Sequence, residues 1–412
     1  MSVHQKIRSF ILSSLVSTDN RMIGVEEECI LHNQDGKRIP VNPGDEFSAT
    51  DLLYIMNDKI GTNGVYSLEP GGQLEWSSPP FLDLNDLQLS MKAHHTLLTE
   101  VVSDNNLKII DYSLDPTSTP EEINLIDKKK YKLMNENMEK NGSMGKWMMR
   151  NTASIQVNFD TINERDIEEM VFVADCLHPI AAYLFAYSPY FKGRTTGLKN
   201  IRNIIWENTD QARCRSLFDH GIDTSTGLID SYIEYMLKVQ SIFKLDDLGA
   251  IVPSDESLGE VLQSLHDAEN LKDRDIQAAL HQIFTNVRLK SLVEVRGADR
   301  TPRGYEMAPV AFWTGLLMES EARTEAHKVL MTWTKKDRKL FNEAGLSLDK
   351  GQPGPNGKTY EEWIIWGGEL ALNGLIRRGL KEEVLFDDFF NNIISLGPFS
   401  LQKQHHESTY NT

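Results

Sequence analysis

Apolar and polar residues alternate along four stretches of the chain, and alternate residues of an extended strand share a face. Ile23 to Leu31, Val65 to Ser77, Met148 to Asp160 and Arg288 to Arg296 therefore read as strands. In MMRNTASIQVNFD, Met149, Ala153, Ile155, Val157 and Phe159 form an apolar face interrupted only by Asn151. Arg150, Thr152, Ser154, Gln156 and Asn158 form a wholly polar one. Helical spacing governs Leu87 to Asp104, Glu164 to Ala186, Asp230 to Leu237, Asp273 to Thr285, Pro309 to Phe341 and Tyr360 to Arg378. The first residues, about 1–18, read as an amphipathic helix lying on the domain, not as a targeting segment. The tail from about Gln402 is polar and reads as frayed. Strands crowd the first half and helices the second, with one returning strand near Glu294. This distribution predicts an α+β fold with an antiparallel or mixed sheet. No linker divides the chain, so a single domain over 1–412 is expected, with a helix-rich part at about 305–400.

Several of these strands carry acids. In IGVEEECIL, Glu26 and Glu28 point one way and Glu27 the other. Two carboxylates on one sheet face repel, so a core holds them only beside a cation; a solvated surface strand is the plain alternative. In SLEPGGQLEWSSPP, Pro-Gly-Gly makes a tight turn that sets Glu69 on one arm and Gln73 and Glu75 on the other. In RLKSLVEVRGAD, Glu294 and Arg296 share a face with Arg288 and Lys290, as an ion pair or as a site for a metal and an anion. TGLKNIRNIIWENTDQARC places Arg202, Trp206, Asp210 and Arg213 close together, as a basic, aromatic loop over an anionic ligand or as a helical ion pair.

Composition narrows the partners. The 412 residues carry a formal net charge of −17, which disfavours nucleic acid and anionic membranes, both of which need a basic footprint. No stretch approaches a membrane span. Cys29, Cys176 and Cys214 are scattered and read as buried free thiols in a reducing compartment, the cytoplasm. Neither a GxxxxGK[ST] loop, a kinase signature set nor the Cys/His spacing of a zinc site is present. Glu26, Glu28, Glu69, Glu75 and Glu294 are five hard oxygen donors, a set that suits Mg²⁺. Mg²⁺ beside arginines suits an ATP triphosphate.

GVEEE, SLEPGGQLEWSSPP, MMRNTASIQVNFD, LFAYSPYFKGRTTGLKNIRNIIWENTDQAR, VRLKSLVEVRGAD and ALNGLIRRGLKEE together resemble the plant- and proteobacterial-type glutamate–cysteine ligases. The resemblance runs in order from about Ile23 to about Leu380. It implies a glutamine-synthetase-like catalytic funnel, a curved and mainly antiparallel sheet wrapped by helices. It also implies an ATP- and Mg²⁺-dependent ligation of the glutamate γ-carboxylate to the cysteine amine through a γ-glutamyl phosphate. By motif, Glu26, Glu28, Glu69, Glu75 and Glu294 are carried over as metal ligands, and Arg213 and Arg296 as catalytic. Gln73, Arg150, Thr152, Gln156, Asn158 and Trp206 are carried over as substrate-binding. The implied partners are small molecules (glutamate, cysteine and ATP), on a monomer or homodimer. The family pattern has an arginine immediately before the strand threonine. Here Asn151 holds that place and the arginine is one earlier, at Arg150. A ligase of the same mechanism with another acid or amine remains open, as does a non-catalytic nucleotide-binding paralogue.

Overall fold

The computed structural model describes residues 1–410, with side chains as far as residue 405. Its centre is a seven-stranded open sheet in which every neighbouring pair is antiparallel. Edge to edge the strands are Val287–Leu289, Val293–Asp299, Ser154–Phe159, Ile23–Asn33, Leu74–Ser77 and Val65–Leu68, with Leu107–Ile110 pairing the far end of Ile23–Asn33. With helices around this sheet, the α+β reading holds.

Register makes one face of the sheet polar. Glu28 lies opposite Glu75, Glu26 opposite both Ser77 and Gln156, and Asn158 opposite Glu294. The other face carries Val25, Ile155, Val157, Phe159 and Trp76, each at most 1% exposed. The helix Glu164–Leu184 and the wholly buried helix Met307–Leu317 pack on this apolar side. Burying a side chain such as Phe159 or Ile155 stabilises the fold by about 1.5–3 kcal/mol. The main apolar cluster runs from Val3 to Ile393. A second, smaller cluster gathers Met134, Met138, Trp147, Met148, Ile201 and Phe243 on the other side of the polar face.

Three expectations change. Met148 to Asp160 is not one strand: Gly145–Asn151 is helical and the strand is Ser154–Phe159. The Thr152 hydroxyl donates to the Met148 carbonyl and closes that helix, which removes Arg150 from the sheet. Arg288 to Arg296 is a hairpin, turned where the Lys290 amide donates to the Leu292 carbonyl. Arg288 therefore faces Glu294 across two strands instead of along one. Pro309 to Phe341 resolves into Met307–Leu317, Ser320–Leu330 and Lys335–Ala344, because Glu319 and Thr334 cap new helices inside the apolar run.

The N-terminal helix is shorter than expected, Val3–Ile11, and is held by ion pairs from Arg8 to Glu164 and Asp230. The segment from Gln402 belongs to a helix, Phe399–Tyr410, with residues 411–412 outside the described part. All three cysteines are buried and unpaired. Among the described residues no helix is long and apolar enough to cross a membrane.

Candidate active site

The polar sheet face and the smaller apolar cluster enclose a cavity of about 850 Å³, open to solvent. Its acidic side is built by the sheet. Glu26 and Glu28 project from Ile23–Asn33, and Glu75 from the adjacent strand. Glu69 stands at the start of the Pro70-Gly71-Gly72 turn, closed by a bond from the Gly72 amide to the Glu69 carbonyl. That turn tolerates no side chain at position 71: a Cβ there would lie 2.5 Å from the Arg150 Cα.

The acids are held under mutual repulsion. The Ser154 amide and Gln156 side chain donate to the two oxygens of Glu28, at 2.8 and 2.9 Å. Ser67 donates to Glu75 at 2.8 Å and Asn158 to Glu26 at 3.0 Å. Burial pushes Glu28 and Glu69 up to about 7 and Glu75 up to about 8, from an ordinary 4.5. The next cause in each case is a neighbouring acid: Glu75 acts on Glu28, Glu28 on Glu69, and Glu69 on Glu75. Three carboxyls that resist ionisation because they face one another are a set that a divalent cation relieves. All the donors are oxygens, which fits Mg²⁺.

The opposite wall is basic and aromatic. Lys130, Arg202, Arg288 and Arg296 line it together with Tyr131, Trp206 and Phe284. Arg202 and Trp206 sit four residues apart on the helix Ile201–Glu207, so they share one face. The guanidiniums of Arg202 and Arg296 lie over the Trp206 ring, 5.7 and 5.9 Å from its centroid. Arg202 Nε, Arg296 Nε, Trp206 Nε1 and Gln156 Oε1 are buried with no partner, which leaves polar valence for a ligand.

Of the residues anticipated from sequence, the cavity gathers Glu26, Glu28, Glu69, Gln73, Glu75, Thr152, Gln156, Trp206 and Arg296. The polar atoms of two of these are committed internally. The Gln73 amide bridges the Gly71 amide and the Thr152 carbonyl, and the Thr152 hydroxyl caps the helix before it. Asn158 lies in an adjoining hollow, bonded to Glu26.

Three residues stand elsewhere. Arg150 turns away and donates to the Pro120 and Ile123 carbonyls and to Asn135. Arg213 is fully buried, paired with Asp210 at 2.7 Å and bonded to the Gln240 and Gln282 carbonyls, so its guanidinium is saturated by protein. Glu294 is not a free metal ligand: Arg288, Lys290 and Arg296 all clasp it. Burial alone would raise its carboxyl, but these three cations hold it well below the usual range. Glu294 thereby anchors two of the arginines that line the cavity.

Arg202, Arg288, Lys130, Tyr131 and His281 are lining residues not anticipated as site residues. The spacing of Arg202 and Trp206 carried a signal, once that segment is taken as helix and not loop. Lys130 and Tyr131 sit in the run KKKYK, which reads as an ordinary solvated face and carries none.

A family model described as glutamate-cysteine ligase family 2 matches residues 22–344. A chloroplastic glutamate–cysteine ligase A of Oryza sativa subsp. indica is 31% identical over 335 residues, covering 80% of this chain and 66% of that protein. The chloroplastic glutamate–cysteine ligase of Arabidopsis thaliana is 31% identical over 341 residues, covering 80% and 63%. The chain thus matches slightly under two thirds of the length of these curated relatives. Among solved structures, a glutamate–cysteine ligase from Francisella tularensis in complex with AMP superposes with a TM-score of 0.58 at 13% identity. That match covers 94% of this chain and 84% of the other and shows a common fold.

Proposed function

The chain belongs to glutamate–cysteine ligase family 2, and from that premise we propose that it joins the γ-carboxylate of glutamate to the amine of cysteine at the expense of ATP. A carboxylate is a poor acyl donor because oxide leaves badly. An oxygen of the γ-carboxylate attacks the γ-phosphorus of ATP, a new O–P bond forms and ADP leaves. The cysteine amine then attacks the acyl carbon, the C–N bond forms, and inorganic phosphate departs as the amine loses a proton. No protein nucleophile is required.

The observation that carries this reading is the trio Glu28, Glu69 and Glu75, buried in one cavity and raised by one another. These acids, with Glu26, would hold Mg²⁺, which when bound screens the phosphate charges and acts as a Lewis acid on their oxygens. Arg202, Arg296 and Lys130 supply positive charge for the anionic groups of the two substrates. Because Glu294 already fixes Arg288 and Arg296, their charges stand in place before substrate arrives. Trp206 stacks under Arg202 and Arg296 and limits their motion.

Small molecules are the partners of this site. The three unpaired thiols support a reducing compartment, the cytoplasm.

The direct test is ADP release with ATP, MgCl₂ and glutamate against each amino acid in turn. Release with cysteine as the required amine, together with γ-glutamylcysteine formation, is expected. Release that needs a different amine would retain the mechanism and reject the acceptor. No release with any amine would reject the ligase reading.

A further inference from the structure

The middle acid of GVEEE points away from the cavity. Glu27 is 2% exposed, on the apolar side of the sheet, directly behind Glu26 and Glu28. A carboxylate in that position needs partners. It finds two adjacent histidines of the helix Leu84–Asp104: His95 Nε2 at 2.7 Å and His94 Nε2 at 3.5 Å, both from the same oxygen, Oε2. One ligand atom from each of Glu27, His94 and His95 lies within 4.8 Å of the other two.

A fourth group is aimed at the same point. Glu306, 4% exposed, has an oxygen, Oε1, with no hydrogen-bond partner, and it lies 3.9 Å from His95 Nε2. Its other oxygen accepts from the Gly304 amide at 2.8 Å, which fixes the carboxyl plane. The His94 ring is also fixed. It stacks on Trp76 at 4.5 Å with 4° between planes, and its Nδ1 meets the Tyr66 hydroxyl at 2.7 Å. A metal-bound histidine uses its other ring nitrogen in this way.

Around these groups Glu27, Glu306 and Asp111 carry negative charge and Arg300 alone answers them, 3.5 Å from Glu27 and 2.6 Å from Asp111. One divalent cation would balance the remainder. Two imidazoles and two carboxylates match the donor set and coordination number that zinc-class ions take. The sequence hides the cluster because Glu27 and His95 are 68 residues apart.

We propose that Glu27, His94, His95 and Glu306 form a zinc-class transition-metal site on the back of the sheet, separate from the cavity. The ion would join the central strand, the Leu84–Asp104 helix and the residue before Met307–Leu317. It would thus brace the strand that presents Glu26 and Glu28.

The proposal is independent of the ligase reading, and its test needs no turnover. The full chain, stripped with chelator, is titrated with Co²⁺ and followed by visible absorption. One equivalent giving the intense bands of a four-coordinate nitrogen–oxygen site, displaced by Zn²⁺, is expected. His95→Gln and Glu306→Gln should each weaken binding by about 10–100-fold, while Glu75→Gln should leave the bands unchanged. His95 is partly exposed, and Glu306→Gln preserves shape, so folding of either variant can be checked by circular dichroism. Absence of the bands in the native chain, their persistence in both back-face variants, or their loss in Glu75→Gln would overturn the proposal.

Discussion

Replacing Glu75 by Gln removes one charge from the repelling trio and keeps the shape of the side chain. The Glu75 carboxyl is raised from 4.5 to about 8, first by burial and then by Glu69 and Glu26. A carboxyl raised in the folded chain keeps its proton over a range where the unfolded chain has lost it. Stability of the cation-free protein therefore falls as pH climbs from the unfolded value towards about 8. At 1.36 kcal/mol per pH unit, the stability gap between variant and wild type widens by about 2 kcal/mol between about pH 6 and about pH 8. With an unfolding entropy of about 2.1 cal/mol/K per residue over 412 residues, that is about 2 °C in midpoint. Thermal unfolding in chelator at the two pH values reads it. The variant should gain on the wild type at the higher pH. Added Mg²⁺ should stabilise the wild type more than the variant, and ADP formation should fall about 100-fold or more in Glu75→Gln. Parallel midpoints across the pH range, with unchanged turnover, would refute the reasoning.

Arg202→Ala should raise KM for glutamate or ATP about 10- to 100-fold with the fold intact, measured by steady-state ADP release, because it removes a charge-assisted contact worth about 1.5–3 kcal/mol. Arg213→Ala should behave oppositely: it leaves Asp210 buried and unpaired, so denaturant unfolding should show a loss of about 3–5 kcal/mol while KM of the folded protein stays put. Gly71→Ala should disturb Glu69 by driving a Cβ onto the Arg150 backbone, and the check is a weaker Mg²⁺ dependence of turnover. Arg150→Ala should leave KM within about twofold, since its guanidinium bonds only to the Pro120 and Ile123 carbonyls and Asn135 among the described contacts.

The acidic half of the site was legible in the sequence because strand periodicity fixes which acids share a face. Glu26 and Glu28 alternate with Glu27, and the Pro-Gly-Gly turn brings Glu69 and Glu75 to the same sheet. Periodicity failed where another element intruded. KWMMRN alternates well enough to pass for a strand, yet Thr152 closes it as a helix and carries Arg150 out of the site. Arg213 looked functional from its acidic neighbour and its motif. Only three-dimensional packing shows the guanidinium consumed by Asp210 and two carbonyls. Glu294 counts as an acid in any sequence tally, but the hairpin that sets Arg288 across from it makes it a clamp for cations. Lys130 reaches the cavity on a helix whose composition is that of a solvated surface.

The account turns on an acyl phosphate formed in a cavity of buried acids. Glutamate carrying ¹⁸O in its γ-carboxylate, turned over with ATP, Mg²⁺ and cysteine, tests it most directly. One ¹⁸O should appear in inorganic phosphate for each dipeptide formed. Phosphate free of label, with dipeptide still accumulating, would contradict the mechanism assigned to this site.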